Sequence, residues 1–426
     1  MIRFEQLPEL SLYIHLPWCI RKCPYCDFNS HESRGELPQE HYINALIADL
    51  EASLPMVWGR PVVSVFMGGG TPSLFSPQSI ERLLSEIRAR VKLLPGAEIT
   101  LEANPGTFEI ERFEGFAQAG VNRVSIGVQS FDNTQLAALG RVHDRDQALQ
   151  AVEHALKIFP RVNLDLMFGL PAQSVNALAR ELEFAIQTGV QHLSCYQLTL
   201  EPGTRFAIKP PQGLPNDDAL ADMQSLVVET LARAGLQRYE ISAFAAPGHE
   251  CQHNLNYWTF GDYLGIGAGA HGKISFADRI VRTQKLKNPG AYMEWIAGGS
   301  PRPLAAPRDD DKAAAPRDDD KAAAPRDDDS PHRHREPAEG GRGGPVAIQP
   351  EELPFEFMLN ALRLIQGVPA SRWQQATGMG IGEHPFLLDR IGRAQALGLL
   401  DRSPGRFHAT PRGLELLSDL QALFLK

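Results

Sequence analysis

The chain has 426 residues, 43% of them apolar, so it can bury a sizeable core and is long enough for two domains. Its 42 lysines and arginines against 51 aspartates and glutamates leave a formal charge of -9, which argues against a nucleic-acid partner, because neutralising phosphates takes a concentrated basic surface. No run is long and apolar enough for a membrane span, the N-terminal stretch lacks a leader pattern, and five cysteines make no disulfide framework in a chain of this size, so a cytoplasmic protein with reduced thiols is expected.

From residue 11 to about 200, short β-rich runs at 11 to 16, 62 to 67, 98 to 103, 123 to 128, 162 to 168 and 192 to 200 alternate with helix-like stretches at 39 to 54, 77 to 92, 108 to 119, 145 to 158 and 174 to 187. That alternation predicts βα units around a parallel sheet, an α/β fold in the form of an incomplete barrel or a wide open sheet. A seventh run at 237 to 244 follows a helix at 216 to 234 and extends the sheet or begins an appended element. The glycine-rich "GDYLGIGAGAHGK" (261 to 273) echoes the G-x-G-x-x-A fingerprint without the long β run that should precede it, and is read as a turn closing over a pocket. Residues 305 to 329 repeat "AAPRDDDKA" without one large apolar side chain, so this stretch is expected to be a solvated, flexible linker. Beyond it, two amphipathic helices and a hairpin around Pro404 and Gly405 suggest a small winged-helix-like domain. From residue 367 onward seven basic residues are balanced by five acidic ones, which favours a packing or docking module over a DNA reader. The expected division is a core barrel at 1 to 235, an extension at 236 to 302, an insertion at 303 to 348 and a C-terminal domain at 349 to 426.

Three of the cysteines stand as C-x3-C-x2-C at Cys19, Cys23 and Cys26 in "HLPWCIRKCPYCDFNS", on the loop after the first strand. A structural zinc site wants four ligands closing a tetrahedron. Three thiolates suit an iron-sulfur cluster that keeps one iron open to an exchangeable ligand, with zinc completed by His15, His31 or Asp27 as the alternative. "VVSVFMGGGTPS" then runs an apolar strand into Gly68, Gly69 and Gly70, and consecutive glycines let main-chain groups approach a ligand at the carboxyl end of a strand. The same rim collects Glu102, Gln129, Arg141 and Asp165, each polar at the end of an apolar run. A carboxylate there can hold ribose hydroxyls, an amide can read adenine or a carboxylate, and a guanidinium can pair with an anion in two-pronged fashion.

The cysteine spacing resembles that of the radical S-adenosylmethionine family. The run of "LYIHLPWC", "CPYCDF", "GGGTPS", "EANPG", "NRVSIGVQSF", "NLDLMFGLP" and "YQLT" is similar to the branch containing oxygen-independent coproporphyrinogen III dehydrogenase and the heme chaperone HemW, over nearly the whole chain apart from about 303 to 348. The resemblance implies a partial (β/α)6 radical SAM barrel with a small C-terminal winged-helix-like domain. It also implies a [4Fe-4S] cluster on Cys19, Cys23 and Cys26, whose open iron takes the amino and carboxylate groups of S-adenosyl-L-methionine before electron transfer cleaves that cofactor to a 5'-deoxyadenosyl radical. Cofactor contacts would fall at Tyr13, Tyr25, Gly69, Gly70, Thr71, Glu102, Gln129, Arg141 and Asp165, with "GGGTP" standing where the family has a "GGE"-type element.

Two details separate the relatives. The dehydrogenase pattern carries a further cysteine two positions after the third, where this chain has Phe28, which counts against decarboxylating chemistry on coproporphyrinogen. "CQHNLNYW" (251 to 258) matches the H-N-x-x-Y-W element associated with heme binding in HemW-like proteins, which makes His253 the candidate heme contact, with Asn254, Tyr257 and Trp258 shaping the pocket. Without the resemblance, a histidine beside aromatics reads as a hydrogen-bonded core residue. His271 is a further candidate for heme, and Cys195 and Cys251 read as buried, inert thiols. The implied function is a chaperone that carries heme to recipient apoproteins, respiratory or heme-storage proteins among them, with an electron donor and a second copy of the chain as further partners. The alternative is an enzyme that modifies a porphyrin.

Overall fold

The computed structural model describes residues 2 to 298, 345 to 403 and 405 to 426; the repeat at 305 to 329 and Pro404 of the expected hairpin lie outside the described residues. Strands β1 (Leu10–Leu16), β2 (Pro61–Gly69), β3 (Lys92–Ala103), β4 (Arg123–Gln129), β5 (Arg161–Phe168) and β6 (His192–Gln197) pair in parallel, each with the next in chain order. Between them run helices α1 (Gln39–Val57), α2 (Pro77–Arg90), α3 (Phe113–Ala119), α4 (Arg145–Ile158) and α5 (Val175–Gln187), and α6 (Asp217–Arg233) follows β6. The helices start where the sequence supplies a cap: Asp144 and Gln147 form a reciprocal capping box on α4, and Ser76, Ser174 and Asn216 each accept an N–H of the first turn.

Side chains alternate across a strand, and here the alternation separates two kinds of chemistry. One face of the sheet carries Leu12, Ile14, Val65, Met67, Ile99, Leu101, Val124, Ile126, Leu164 and Leu193, all buried in one core with Leu46, Leu50, Leu83, Ile87, Val152 and Leu182 of the covering helices. The opposite face carries Ser11, Ser64, Glu98, Arg123, Asn163 and His192 toward one end of the strands, and Glu102, Gly127, Asp165 and Tyr196 toward the other. The sheet curves around this polar face to form a lumen.

The remaining strands continue the same sheet. β7 (Gln237–Arg238) and β8 (Ala243–Ala245) add an antiparallel ribbon beside β6, while β9 (Asp262–Ile266) lies parallel to β1 on its free side. β10 (His271–Ser275), β11 (Ile280–Gln284) and β12 (Val346–Ala347) follow in antiparallel fashion. Among the described residues the order is β12-β11-β10-β9-β1-β2-β3-β4-β5-β6-β8-β7, a sheet of 12 strands with two free edges. The run 261 to 273, expected as a turn, is therefore strand β9, a short loop and the start of β10. Its glycines mislead because they serve packing within a sheet: a Cβ on Gly265 would collide with the His271 carbonyl of the neighbouring strand, and Leu264 and Ile266 join the apolar core.

The C-terminal residues form α8 (Leu353–Ala361), α9 (Ser371–Thr377), α10 (Pro385–Ala396) and α11 (Leu417–Ala422) around Phe357, Trp373, Phe407 and Phe424. Asp401 N donates to His408 O and Leu400 bridges Ala409, so the chain does turn back between them, and Arg406–Phe407 also pair with Val368–Pro369. This second core takes in Ile2, Phe260, Ile280 and Ile348, and Arg363 pairs with Glu240 at 3.2 Å, so the C-terminal unit is seated on the extension of the sheet. Among the described residues no helix is long and apolar enough to cross a membrane.

Candidate functional site

The three cysteines lie half-buried on the loop that leaves the carboxyl end of β1, free of disulfide bonds. Arg141 Nη1 donates to Cys23 Sγ at 3.5 Å, Cys26 Sγ lies 3.6 Å from Ser30 Oγ, and burial raises the Cys19 thiol against a hydrogen bond to Thr71 that lowers it. The imidazoles proposed as alternative zinc ligands are already engaged: His15 meets Tyr13 OH and Asn29 O through its two ring nitrogens, both at 2.9 Å, and His31 Nε2 meets Asn29 Oδ1 at 3.2 Å. Among the described residues no three His, Cys, Asp or Glu side chains gather closely enough to hold a single metal ion. Thiolates that bind different irons of one cluster have no need to do so, and the loop fits a cluster better than it fits zinc.

The glycine run packs against this loop. Gly69 has φ +112 and a Cβ there would strike the His15 ring, while a Cβ on Gly70 would come within 2.6 Å of the Trp18 carbonyl. Their main-chain donors are taken up inside the protein: Gly69 N by Glu102 Oε2 (3.1 Å), Gly70 N by Leu16 O (2.9 Å) and Thr71 N by Trp18 O (2.7 Å). With these donors taken, what the turn has left for a ligand is carbonyl oxygen, which suits an amino group, and the Thr71 carbonyl already accepts from Leu74 N at 3.0 Å.

Around it stands the rest of the rim. Glu102, on the lumen wall, has its carboxyl pushed up to about 7 by burial and by the neighbouring Asp165. Asp165 is held by Ser125 Oγ (3.2 Å) and Asn163 Nδ2 (2.9 Å). Arg141 spends its other terminal nitrogen on Asn104 Oδ1 and Gly127 O, each at 2.7 Å, and its Nε is a buried donor with no partner, an orphan that an anionic ligand would satisfy. Gln129 takes φ +68 after a break in the β4 register, costly for a residue with a side chain. Ser130 Oγ and Phe131 N, both bound to Glu181 of α5, hold that turn in place. Tyr25 lies against Phe206 and Arg141, and the Tyr13 hydroxyl is occupied by His15.

The predicted site residues thus divide. Cys19, Cys23, Cys26, Tyr25, Gly69, Gly70, Thr71, Glu102 and Arg141 share the mouth of the lumen, with Gln129 and Asp165 on adjoining strands. His253 lies apart, on α7 (Gln252–Trp258), which plugs the other end. Its side chain is 8% exposed, with the ring 5.0 Å from Phe66 and 6.4 Å from Tyr13. Ser64 Oγ spends its proton on Ser11 (2.8 Å) and so accepts from His253 Nδ1 at 3.1 Å, leaving the lone pair on Nε2. Burial lowers this imidazole to about 4, so it is neutral at physiological pH.

Of the residues expected to shape a pocket with it, Tyr257 packs on Tyr263 and Trp258 lies under the Arg363 guanidinium of the C-terminal unit, while Asn256 just before them bonds Ser11 and the Asp262 carbonyl and so joins the Ser64 network of the ring. His271 begins β10 with its side chain exposed. Cys251 donates to Glu98 and Cys195 sits in β6; burial pushes both thiols up to about 12, which leaves them inert. Sequence reasoning missed Asn104, which joins Thr71 to Arg141, although it stands in the same "EANPG" that supplied Glu102. It also missed Glu98, which pairs with Arg161 at 2.8 Å and receives the His253 N–H at 3.3 Å.

The model of the radical SAM superfamily matches residues 13–185 and that of the HemN C-terminal domain matches residues 348–416. The chain is 42% identical over 422 residues to the heme chaperone HemW of Escherichia coli (strain K12), covering 99% of both chains. It is 40% identical over 429 residues to the heme chaperone HemW of Haemophilus influenzae, again over 99% of both. A bovine protein described as mitochondrial radical S-adenosyl methionine domain-containing protein 1 is 42% identical over 295 residues, 67% of this chain and 66% of that one. Among solved structures, coproporphyrinogen III oxidase (HemN) of Escherichia coli superposes with a TM-score of 0.75 at 22% identity, covering 98% of this chain and 90% of that chain, a likeness of fold. With its cysteine loop, its lumen and full-length identity of this size, the chain belongs to the HemW family of the radical SAM superfamily.

Proposed function

We propose that this protein is a heme chaperone that holds a [4Fe-4S] cluster and S-adenosyl-L-methionine at the mouth of its lumen and hands heme to recipient apoproteins. The observation that carries the reading is full-length identity to proteins named heme chaperones, joined to a cluster loop in which Phe28, 62% exposed, stands where the dehydrogenase pattern has a further cysteine. When bound, the cluster supplies a redox-active iron with one open coordination position. Cys19, Cys23 and Cys26 would hold it, with Arg141 Nη1 neutralising charge at Cys23 and Arg141 Nε free to take a ligand carboxylate. The carbonyls around Gly69, Gly70 and Thr71 would meet the amino group of the sulfonium cofactor. Glu102 and Asp165 would accept from its ribose, Gln129 would read its adenine, and Tyr13 and Tyr25 would wall the site.

For heme, His253 offers a neutral imidazole with its Nε2 lone pair uncommitted, and the rings of Phe66 and Tyr13 beside it form a flank suited to a macrocycle. Respiratory and heme-storage apoproteins as recipients, an electron donor for the cluster, assembly as a homodimer and a place in the cytoplasm complete the proposal.

The test is anaerobic reconstitution followed by addition of heme, cofactor and reductant, reading heme transfer to an acceptor apoprotein by its absorbance and coproporphyrinogen III decarboxylation in parallel. Stoichiometric heme retention, passage to the acceptor and weaker retention in His253→Ala are expected. Decarboxylation of coproporphyrinogen III would overturn the reading in favour of a porphyrin-modifying enzyme.

A further inference from the structure

We infer that Asn29 is the positioning residue of the cluster loop, and that it anchors the loop to the last third of the sheet rather than to the βα core that carries the cysteines. Asn29 follows Cys26 by three residues, and every polar atom of its side chain is used. Nδ2 donates to Ala268 O and to Lys287 O, both at 2.9 Å, and Oδ1 meets His31 Nε2 at 3.2 Å. Its main-chain carbonyl accepts from His15 Nε2 at 2.9 Å, which ties the end of the loop back to the strand it left. Both acceptors of Nδ2 belong to segments flanking β9 and β11, some 240 to 260 residues away in sequence, beyond the 13–185 span that matches the superfamily model.

The anchor is rigid. Tyr42 OH donates to His15 O and accepts from Ala268 N, both at 2.8 Å. Gly267 N donates to the buried Asp49 carboxylate, which also holds Tyr292 OH at 2.8 Å and the Lys285 ammonium. Gly269 has φ +79, and a Cβ there would overlap Asn29 Nδ2, so the approach of this amide leaves room for no side chain. Against this, the remaining ties from residues 20 to 28 among the described residues lie on the opposite side: Arg141 on Cys23 and Tyr25, Tyr25 packed on Phe206, and Phe206 N on Pro24 O. Removing the amide donors frees the loop on one side while the sheet beneath it stays intact.

The cluster arm of the test rests on the function proposed above, and the first arm does not. In the metal-free full-length chain, Asn29→Asp keeps the volume and an oxygen for His31 but loses both N–H donors, and Asn29→Ala loses all three contacts. Two lost hydrogen bonds should speed amide exchange across residues 28 to 33 by about 10-fold or more, with β4 to β6 unchanged. Gly269→Ala, which pushes on the same amide from the other side, should give the same local pattern. After anaerobic reconstitution, loss of iron to a chelator should accelerate by a similar factor, and the electron paramagnetic resonance signal of the reduced cluster should change shape. Unchanged exchange at 28 to 33, or acceleration spread evenly over all six parallel strands, overturns the inference. Failure of the parent chain to bind iron would instead count against the cluster reading, because the exchange arm contains no iron.

Discussion

At the mouth of the lumen Cys19, Cys23, Cys26 and Glu102 remain half-buried and Arg141 Nε lacks a partner, whereas at the floor Glu98 is 3% exposed and answered from four sides, by Arg161, Arg123, the Cys251 thiol and the His253 N–H. The floor continues through Tyr239 OH on His192 and His192 on Asn163, which in turn bonds Ser125 and Asp165. Both ends are polar and both belong to the same six strands. They differ in whether the charged groups are answered: at the floor Asn256 Oδ1 and Thr100 Oγ1 lack a partner, but Glu98 and the arginines beside it are paired with one another. A paired buried charge fixes shape, since leaving it unpaired in a low-dielectric interior is costly. Spare bonding capacity, by contrast, is what a bound ligand completes. The mouth is accordingly where iron and cofactor binding should be lost on mutation, and Glu98 at the floor is where stability should be lost.

The largest expected effect is at the mouth. Serine at Cys19, Cys23 or Cys26 should reduce iron after anaerobic reconstitution to background, while the unfolding free energy of the metal-free chain moves by less than about 1 kcal/mol, because a half-exposed thiol is exchanged for a hydroxyl of similar size. Iron analysis and urea unfolding on the same samples check this. A variant that unfolds and loses iron together would erase the distinction between the two ends. Next in size is the floor. Glu98→Ala leaves the buried Arg123 and the partly buried Arg161 uncompensated, and breaking a buried pair by removing one partner costs roughly 3–5 kcal/mol. Urea unfolding should show that loss, and Glu98→Gln, which still accepts from Cys251 and His253, should show a smaller one.

Much of the mouth was legible in the chain, and most of the floor was not, for a physical reason. The cysteines, the glycine run, Glu102 and Arg141 are local signals: residue types with strong chemistry at the ends of apolar runs. The six parallel strands were equally legible because β-branched runs recur between helical periods. Glu98 opens the run "EITLEA", where a charge normally marks the solvated end of a strand. Only the return of α7, 153 residues later for Cys251, reveals that this end is closed. Strand β9 escaped because its glycines signal a turn locally, and only β1 and β10 on either side make it a strand. The "HNLNYW" helix shows the same limit from the other direction. Its His253, Asn254, Tyr257 and Trp258 read as one pocket, but successive positions on a helix point different ways, so His253 enters the lumen floor, as Asn256 does, while Trp258 faces the C-terminal unit.

The smallest and most discriminating contrast is in pH dependence, because burial shifts the two ends with opposite sign. Glu102 titrates near 7 in the folded chain against 4.5 ordinarily, so the folded state binds more protons between those values. Its contribution to stability is complete below 4.5 and falls as pH rises to 7. His253 at the floor titrates near 4 against 6.5, so the unfolded state binds more protons between 4 and 6.5, and its contribution is lost as pH falls through that window. The two slopes oppose each other in the parent chain. Glu102→Gln removes the falling one, so unfolding free energy should climb more steeply from pH 4.5 to 6.5 in the variant than in the parent. If Glu102 accepts from the cofactor's ribose, the parent's affinity for S-adenosyl-L-methionine should also rise through pH 7 and level off, and the variant's should be weaker and flat. Identical stability slopes in the two chains would mean that Glu102 ionises in the ordinary carboxylate range. The mouth would then be as well solvated as the outer surface, and the contrast with the closed floor would lie in exposure alone.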